Sequence, residues 1–371
     1  MSAKVDGSAL AVFALVLVSG AACTSSTTAT PKGDGAAGVS GAGGLAGSTG
    51  AGGIITGAGG STGAAGATGS GGTTGAGGTA GAAGSNADGA ADVAGDATSA
   101  SDAGGPHKQF SCPPGPYPAQ VMGASTPICN GGGFAYNYTF NEGPTWIASQ
   151  GAFFFSNFIQ GNGTANKTAG DIIKYTIGGA CEIWLHDVGC NGLGVSATGQ
   201  LLAACHGPRA VMEYDVVTKQ GRVLATMAGG KMLDSPNDLI AHSKGNIYFS
   251  NAIFELGGRP QGLGTALVKI DPLGNTSVVQ MGGLNGVALS PDEKKLYVVQ
   301  MGVWDLDDNG NILQKTTAAA PGGDGIAVDC AGTISINGTN SAFGGPDGKT
   351  LLVVGPATTA RTVQMTVPGI P

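Results

Sequence analysis

The order of apolar and polar residues predicts short β-strands through most of the chain after residue 106. Apolar runs alternate with turn residues such as Gly, Asn, Asp and Pro. The predicted strands cover residues 151–156, 171–175, 182–185, 200–204, 210–214, 246–250, 266–270 and 295–299. Residues 271–275 and 308–310 predict tight hairpin turns. No stretch after residue 106 has the pattern of an amphipathic helix, so we predict an all-β fold.

The predicted strands belong to a repeat, and each copy opens with an oxygen-bearing side chain followed by an apolar strand. The six opening residues are Glu142, Asn191, Asn237, Asn285, Asp324 and Asn340. They are separated by 49, 46, 48, 39 and 16 residues. A period of about 40–50 residues that holds several short strands is typical of a β-propeller, in which each repeat forms one blade.

The last interval of the repeat is too short for a full blade. The 16 residues between Asp324 and Asn340 can hold the inner strands of a fifth blade but not its outer half. We therefore expect an incomplete fifth blade near residues 334–340, a ring of only five blades, or a compromised fold. Residues 351–354 and 362–367 can supply strands of the last blade, and residues 134–140 are expected to close the ring beside them.

The innermost strands of a propeller begin near its central channel, so residues at equivalent places in the repeats should converge there. Five of the opening residues are therefore expected at one mouth of the channel: Glu142, Asn191, Asn237, Asn285 and Asp324. Oxygen ligands of this kind suit a hard divalent cation, with calcium favoured and zinc, magnesium or manganese as alternatives. An Asn or Asp before Gly also fits ordinary turn chemistry, but five such residues in register favour a metal site.

The first 105 residues differ from the rest in composition. Residues 1–23 predict an export signal, with Lys4 before an apolar run at 9–18 and small residues after it. Cys23 stands where a bacterial lipoprotein carries its lipidated cysteine. We therefore expect a protein that is lipid-anchored to the cell envelope or secreted. Residues 24–105 are almost entirely Gly, Ala, Ser and Thr, which predicts a disordered tether before one domain at 106–371.

The charge balance makes some partners improbable on physical grounds. The chain has 17 Lys and Arg against 24 Asp and Glu, a net charge of −7, and no basic cluster. We therefore expect no nucleic acid partner and a monomer that touches the membrane only through its lipid anchor.

Six cysteines follow residue 106, and an even number in an exported protein predicts up to three disulfides. Cys112 with Cys129 and Cys181 with Cys190 are plausible local pairs, which would leave Cys205 with Cys330. The sequence alone does not fix this pairing.

Six segments together carry a resemblance to a known family. They are Asn141-Glu142-Gly143-Pro144, Cys205-His206-Gly207, Ser235-Pro236-Asn237-Asp238, and the segments that begin at Asn285, Asp324 and Asn340. In these the chain resembles the senescence marker protein/gluconolactonase/luciferin-regenerating enzyme family over about residues 140–369. The resemblance implies a six-bladed propeller with one divalent cation in the central channel. It also implies a sugar-lactone hydrolase, although relatives with the same fold cleave organophosphates or other esters.

The resemblance also implies roles for individual residues. The family's metal ligands fall on Glu142, Asn285 and Asp324, with Asn237 as a fourth in some members. Positions that often line the substrate side fall on three further residues, Asn191, His206 and Arg209.

General chemistry adds a mechanism and leaves two functions open. A cation can polarise a lactone carbonyl while Asp324, or Asp238 as a second candidate, takes a proton from the attacking water. The first function is a metal-dependent hydrolase of a sugar lactone or related ester. The alternative is a non-catalytic propeller that binds a ligand or protein and uses its metal only for structure.

Overall fold

The computed structural model describes residues 110–130, 133–160, 169–282 and 285–371. The chain divides into two units, Met1–Ala91 and Asp92–Pro371, and all described residues belong to the second. The expected export signal, the lipidation site at Cys23 and the tether at 24–105 lie outside the described residues. Among the residues described, no helix is long and apolar enough to span a bilayer.

Strands dominate the described residues, as predicted. β1 (Met122–Pro127) precedes the repeats. Blade one holds β2 (Phe140–Ile147), β3 (Ala152–Phe158), β4 (Gly170–Thr176) and β5 (Cys181–Leu185), with a 3-10 turn at Ala148–Gln150. Blade two holds β6 (Cys190–Val195), β7 (Leu201–Cys205), β8 (Ala210–Tyr214) and β9 (Gly221–Ala225). A small hairpin of β10 (Met227–Ala228) and β11 (Lys231–Met232) follows.

The remaining blades complete the ring. Blade three holds β12 (Ser235–Ala241), β13 (Ile247–Ala252), β14 (Ala266–Ile270) and β15 (Thr276–Met281). Blade four holds β16 (Val287–Leu289), β17 (Lys295–Val298), β18 (Gly302–Leu306) and β19 (Ile312–Lys315). Blade five holds β20 (Ala327–Val328) and β21 (Ile334–Ser335), and blade six β22 (Asn340–Gly344), β23 (Thr350–Val354) and β24 (Ala360–Met365). The predicted hairpin turns at 271–275 and 308–310 join β14 to β15 and β18 to β19.

The six inner strands contact one another in chain order, and β22 returns to β2 to complete the circle. The apolar cores lie between successive blades. One cluster joins blades one and two through Phe154, Trp184 and Leu201. Another joins blades two and three through Leu202 and Phe249. This arrangement confirms the predicted propeller of six blades.

Blade five is reduced to a two-stranded hairpin, which confirms the expectation of an incomplete fifth blade. Ala327 pairs with Ser335 and Val328 with Ile334. Its inner strand nevertheless packs on blade four, where Val299 and Ile326 share a buried cluster. The short interval therefore removes the outer half of a blade without breaking the ring.

The C-terminal residues run beside the inner strand of this reduced blade. The backbone N–H of Cys330 donates to the carbonyl of Pro368 (2.7 Å), and that of Ile370 donates to Val328 (3.2 Å). These hydrogen bonds attach the C-terminal residues to the edge of the hairpin's inner strand that lies opposite β21.

The segment before β1 is also attached to blade five. A disulfide joins Cys112 to Cys330 on blade five. The side-chain amide of Gln120 donates to the buried carboxylate of Asp329 and to the carbonyl of Val367, each at 3.0 Å. Both ends of the domain therefore stabilise the blade that the sequence shortens.

Ring closure differs from the prediction. Blade six gains its fourth strand from β1, whose residues pair with β24 in antiparallel register. Residues 134–140, which were expected to close the ring, add no strand to blade six and contact it through an isolated bridge between Phe140 and Pro356, a hydrogen bond from Thr358 to Thr139, and apolar packing. The closing strand escaped prediction because all six of its residues are exposed and it lacks an apolar pattern.

All six cysteines after residue 106 form disulfides, but none of the suggested pairs is correct. The bonds join Cys112 to Cys330, Cys129 to Cys181 and Cys190 to Cys205. Cys190 and Cys205 are direct neighbours across β6 and β7, with a Cα–Cα distance of 3.7 Å. For Cys190 and Cys205 the register of the two strands therefore decided the partner.

We expect the double variant Cys112→Ala/Cys330→Ala to lose about 2–4 kcal/mol of unfolding free energy. Without the bond, the unfolded chain is no longer restricted by a long closed loop and gains conformational entropy. Hydrogen exchange should show the loss of protection first at the backbone amides of residue 330 and Ile370. These amides form the hydrogen bonds between the C-terminal residues and blade five. The variant Cys129→Ala/Cys181→Ala is the control, and it should leave those amides protected. Equal exchange at these amides in both variants would contradict a stabilising role of the terminal segments at blade five.

Candidate functional site

A cavity of about 530 Å³ opens at one end of the propeller axis. All five residues predicted to converge there line it: Glu142, Asn191, Asn237, Asn285 and Asp324. Its other lining residues are Phe140, Phe158, Gln160, Ile253, Phe254 and Glu255. The five repeat positions are therefore brought together as the spacing predicted.

Irregular strand pairing turns the polar side chains of the first three blades toward this cavity. The register of β2 with β3 shifts between Glu142 and Thr145. The corresponding shifts fall between Cys190 and Leu193 and between Pro236 and Leu239. A bulge re-aims a side chain at a strand end, so the same local irregularity recurs at each opening residue.

The glycines that follow the opening residues are required by the approach of adjacent inner strands. A Cβ on Gly192 would lie 2.4 Å from the carbonyl oxygen of Asn237 in the next blade. On Gly286 it would lie 2.6 Å from the carbonyl oxygen of Asp324. The polar-Gly pairs are thus places of backbone contact around the axis as well as turn-like sequences.

Three carboxylates near the axis lie without a cationic partner. Glu142 and Asp238 are 6% and 7% exposed. No lysine or arginine in the part of the chain that the structure describes forms an ion pair with Glu142, Asp238 or Asp324. Burial, aided by the charges of Asp324 and Asp238, raises the pKa of Glu142 well above its usual value. Burial also raises the pKa of Asp238 and of Asp324, each to about 6.

This donor set fits a bound cation. Buried carboxylates without a counter-charge are costly, and a divalent ion among them would supply that charge. The amides of Asn237 and Asn285 add neutral oxygen donors beside Glu142 and Asp324. All of these ligand atoms are oxygen, which favours a hard ion.

Asp238 occupies a different position from Asp324. It accepts hydrogen bonds from the Leu239 backbone N–H (3.0 Å) and the Asn340 side-chain amide (3.1 Å). It lines a narrow space of about 40 Å³ among the inner strands, which Ile370 and Pro371 also line. Asp238 is not among the lining residues of the larger cavity, so it is the less accessible of the two candidate bases.

His206 and Arg209 do not line the cavity as the substrate-side prediction implied. His206 is buried against Phe158, with ring centroids 5.1 Å apart. Its Nδ1 has no hydrogen-bond partner among the described residues. Burial, followed by the charge of Arg259, lowers its pKa to about 4, so the ring is neutral at physiological pH.

Arg209 is a correction to the predicted substrate-binding set. Its guanidinium donates to the carbonyls of Leu233 and Pro260, and its Nη2 lies 2.9 Å from the carboxylate of Asp234. These contacts use the side chain to join blade two to the loops of blade three. The N–H groups of Arg209 therefore donate to protein acceptors and not to a ligand in the cavity.

Glu255 is a buried acid that lines the cavity, and the sequence pattern did not predict it. The Ser235 hydroxyl donates to its Oε2 at 2.7 Å, and burial raises its pKa. Glu255 lies on the long loop between β13 and β14, outside the segments in which the repeat was recognised. The one available signal was a run of apolar and acidic residues, 252–256, within a Gly-rich loop.

A second acidic cluster lies away from this cavity. Ligand atoms of Asp171, His186 and Asp187 all lie within 4.8 Å of one another, so the group could hold a metal ion. Its atoms already have partners: His186 Nδ1 lies 2.7 Å from Asp171, and Asn137 donates to the second oxygen of Asp171. This network accounts for the buried carboxylate of Asp171 without a metal.

Comparison with known proteins agrees with the motifs. The sequence profile of the SMP-30/gluconolactonase/LRE-like region matches residues 140–341. Gluconolactonase of Zymomonas mobilis subsp. mobilis is 28% identical over 224 residues, which are 53% of this chain. The chain spans 60% of the length of that relative.

Solved structures share the fold. The gluconolactonase of Xanthomonas campestris superposes with a TM-score of 0.52 at 21% identity, over 68% of this chain and 99% of its own. An X-ray structure of a protein provisionally called a gluconolactonase gives 0.55 at 22% identity, over 69% and 96%. Likeness at this level establishes the propeller fold.

We expect His206→Leu to flatten the dependence of unfolding free energy on pH. The pKa of about 4 in the folded state lies below the usual value of 6.5, so the contribution of neutral His206 to stability is complete above pH 6.5 and is lost as the pH falls toward 4. Denaturant titrations at several pH values should show wild type losing about 2–3 kcal/mol more than the variant over this window. Parallel curves for the two proteins would mean that folding does not lower the pKa of His206.

Proposed function

Because the chain belongs to the SMP-30/gluconolactonase/LRE-like family over residues 140–341, we propose that it is a metal-dependent hydrolase of a lactone or related ester. The observation that carries the proposal is the cavity at the axis. Five inner-strand starts present Glu142, Asn191, Asn237, Asn285 and Asp324 to one space. Among the described residues, no cationic side chain forms an ion pair with Glu142, Asp238 or Asp324.

Glu142, Asn237, Asn285 and Asp324 would hold one divalent cation, and calcium best suits an all-oxygen donor set. When bound, the ion supplies positive charge that polarises a carbonyl oxygen. Asn191 is the remaining amide of the set, and we assign it to a hydrogen bond with the substrate. Zinc, magnesium and manganese are the alternative ions.

Asp324 is the base in this proposal. Its carboxylate lines the cavity and can take a proton from a water molecule beside the carbonyl carbon. The water oxygen bonds to the carbonyl carbon, the ring carbon–oxygen bond breaks, and the proton passes to the departing alkoxide. The product is one hydroxy acid. Asp238 is the second choice because it lies in the narrower space.

The N-terminal segments belong to the same proposal. We assign residues 1–23 to export, Cys23 to lipidation and residues 24–105 to a tether. Three disulfides support an oxidising compartment outside the cytoplasm. The partner is then a small lactone or ester, with the membrane reached only by the lipid anchor of a monomer.

One observation favours the alternative of a non-catalytic binding propeller, namely the two-stranded blade five. The opening residue of that blade, Asp324, still lines the cavity. Folded, metal-loaded protein that turned over no lactone in a broad panel would support the binding function instead.

Calcium titrated calorimetrically into the purified protein should bind in a 1:1 ratio. Glu142→Gln should weaken that binding on the order of 100-fold, because a neutral amide replaces a charged ligand. His186→Ala is the matched control at the outer acidic cluster, and it should leave the binding unchanged. Loss of binding in His186→Ala with retention in Glu142→Gln would assign the ion to the outer cluster.

Asp324→Asn should lower kcat for lactone hydrolysis about 10²–10⁴-fold, because the base is lost. Asp238→Asn should cost less than about tenfold, since that carboxylate lies outside the cavity that admits the substrate. Initial rates at saturating substrate, with calcium binding measured on the same samples, separate a lost base from a lost ion. The reverse order of the two effects would make Asp238 the base.

A further inference from the structure

The cavity at the axis has an apolar part that the repeat does not explain. Phe140 and Phe158 line it from blade one, and Ile253 and Phe254 line it from the loop after β13. Phe254 is 36% exposed, although it stands beside a cavity large enough to receive a ligand. A large apolar side chain held partly in water next to a binding space gains stability when a ligand covers it.

The loop that carries Phe254 is fixed at one end by Arg259. The guanidinium donates to four carbonyls at 2.7–3.0 Å, those of His206, Gly207, Glu255 and Leu256. Two of these carbonyls belong to blade two, so Arg259 attaches the loop to a neighbouring blade.

The other end of the loop is fixed by Asp234. Its carboxylate accepts hydrogen bonds from the backbone N–H groups of Gly262 (2.5 Å) and Gly264 (2.6 Å). The same carboxylate is buried and pairs with Arg209. Because both ends are attached, the loop presents Phe254 in a defined place and can discriminate between substrates.

The charges of the lining narrow the ligand further. The lining residues that the structure describes include three acids, Glu142, Glu255 and Asp324, and no Lys, Arg or His. An ion bound by Glu142 and Asp324 leaves Glu255 to repel an anionic substituent. A phosphate or carboxylate on a substituent beside Glu255 would therefore find no cationic side chain among the described lining residues.

The size of the cavity points the same way. Its 530 Å³ falls within the range of about 300–1,000 Å³ that is usual for ligands larger than a single small ring. A polyhydroxylated ring would have to give up water from its hydroxyl groups where it met Phe140, Ile253 and Phe254. An alkyl or aryl substituent loses nothing there and gains by burial.

We propose that the substrate is an uncharged lactone with an apolar substituent, which packs against Phe254, Ile253 and Phe140. Phe254 is then a specificity-determining residue. The inference rests on the proposed function, since it names the substrate class of that same site.

Binding of uncleavable lactams tests the inference apart from turnover. δ-Lactams with a methyl, propyl or pentyl substituent beside the ring nitrogen should bind calcium-loaded protein with Kd falling about threefold to fourfold per methylene. The polyhydroxylated glucono-δ-lactam should bind more weakly than the pentyl compound. Calorimetry measures each affinity, and the same compounds as lactones measure kcat/KM.

Phe254→Ala should remove most of the dependence on chain length, and Phe254→Leu should keep part of it. Leu273→Ala, at a side chain 87% exposed and distant in the fold, is the matched control and should change nothing. A chain-length trend in lactam binding without lactone turnover would support the apolar subsite and reject the hydrolase proposal. The inference would be overturned if wild type turned over lactones but bound the lactams weakly or with a Kd that did not depend on chain length. It would also be overturned if Phe254→Ala kept the same dependence on chain length as wild type.

Discussion

The close approach of neighbouring inner strands at the propeller axis is the constraint on which the site depends. Glycine follows the opening polar residue wherever the next blade's backbone comes within about 2.4–2.6 Å of a Cβ position, as at Gly192 and Gly286. Any larger residue would push two blades apart. The polar side chain before each glycine would then move away from the axis, and the five oxygen donors would no longer share one cavity.

The same closeness creates an electrostatic cost that the fold does not relieve by itself. Glu142, Asp238 and Asp324 influence one another, and burial raises the pKa of each. Asn340, from the last inner strand, offers its amide to Asp238 at 3.1 Å. Hydrogen bonds of this kind satisfy the oxygen atoms but do not neutralise the charge. The buried carboxylates therefore lower the stability of the folded protein when no ligand is present. Such a cost is common at binding sites.

Repetition decided how much of this could be predicted. Glu142 and Asn285 lie far apart in sequence, yet equivalent positions in a periodic fold meet at the axis, so spacing alone placed them together. Glu255 belongs to a loop outside the period and gave no comparable signal. The role of Arg209 depends on a contact between blades, and the pairing of Cys190 with Cys205 depends on the register of two strands within one blade. Strand β1 lacks buried residues, so its place at the edge of blade six follows only from the assembled ring.

The bond between Cys112 and Cys330 also has a mechanical consequence. A pull applied through the residues before Phe110 reaches Cys112 first, and a covalent link passes it directly to blade five. The backbone from 113 to 127, including the hydrogen bonds of β1 to β24, is thereby relieved of the extension that would peel that strand away. The load enters the propeller through its smallest blade, at Cys330, six residues after Asp324. The ring can thus bear tension from its N-terminal side without opening at its seam.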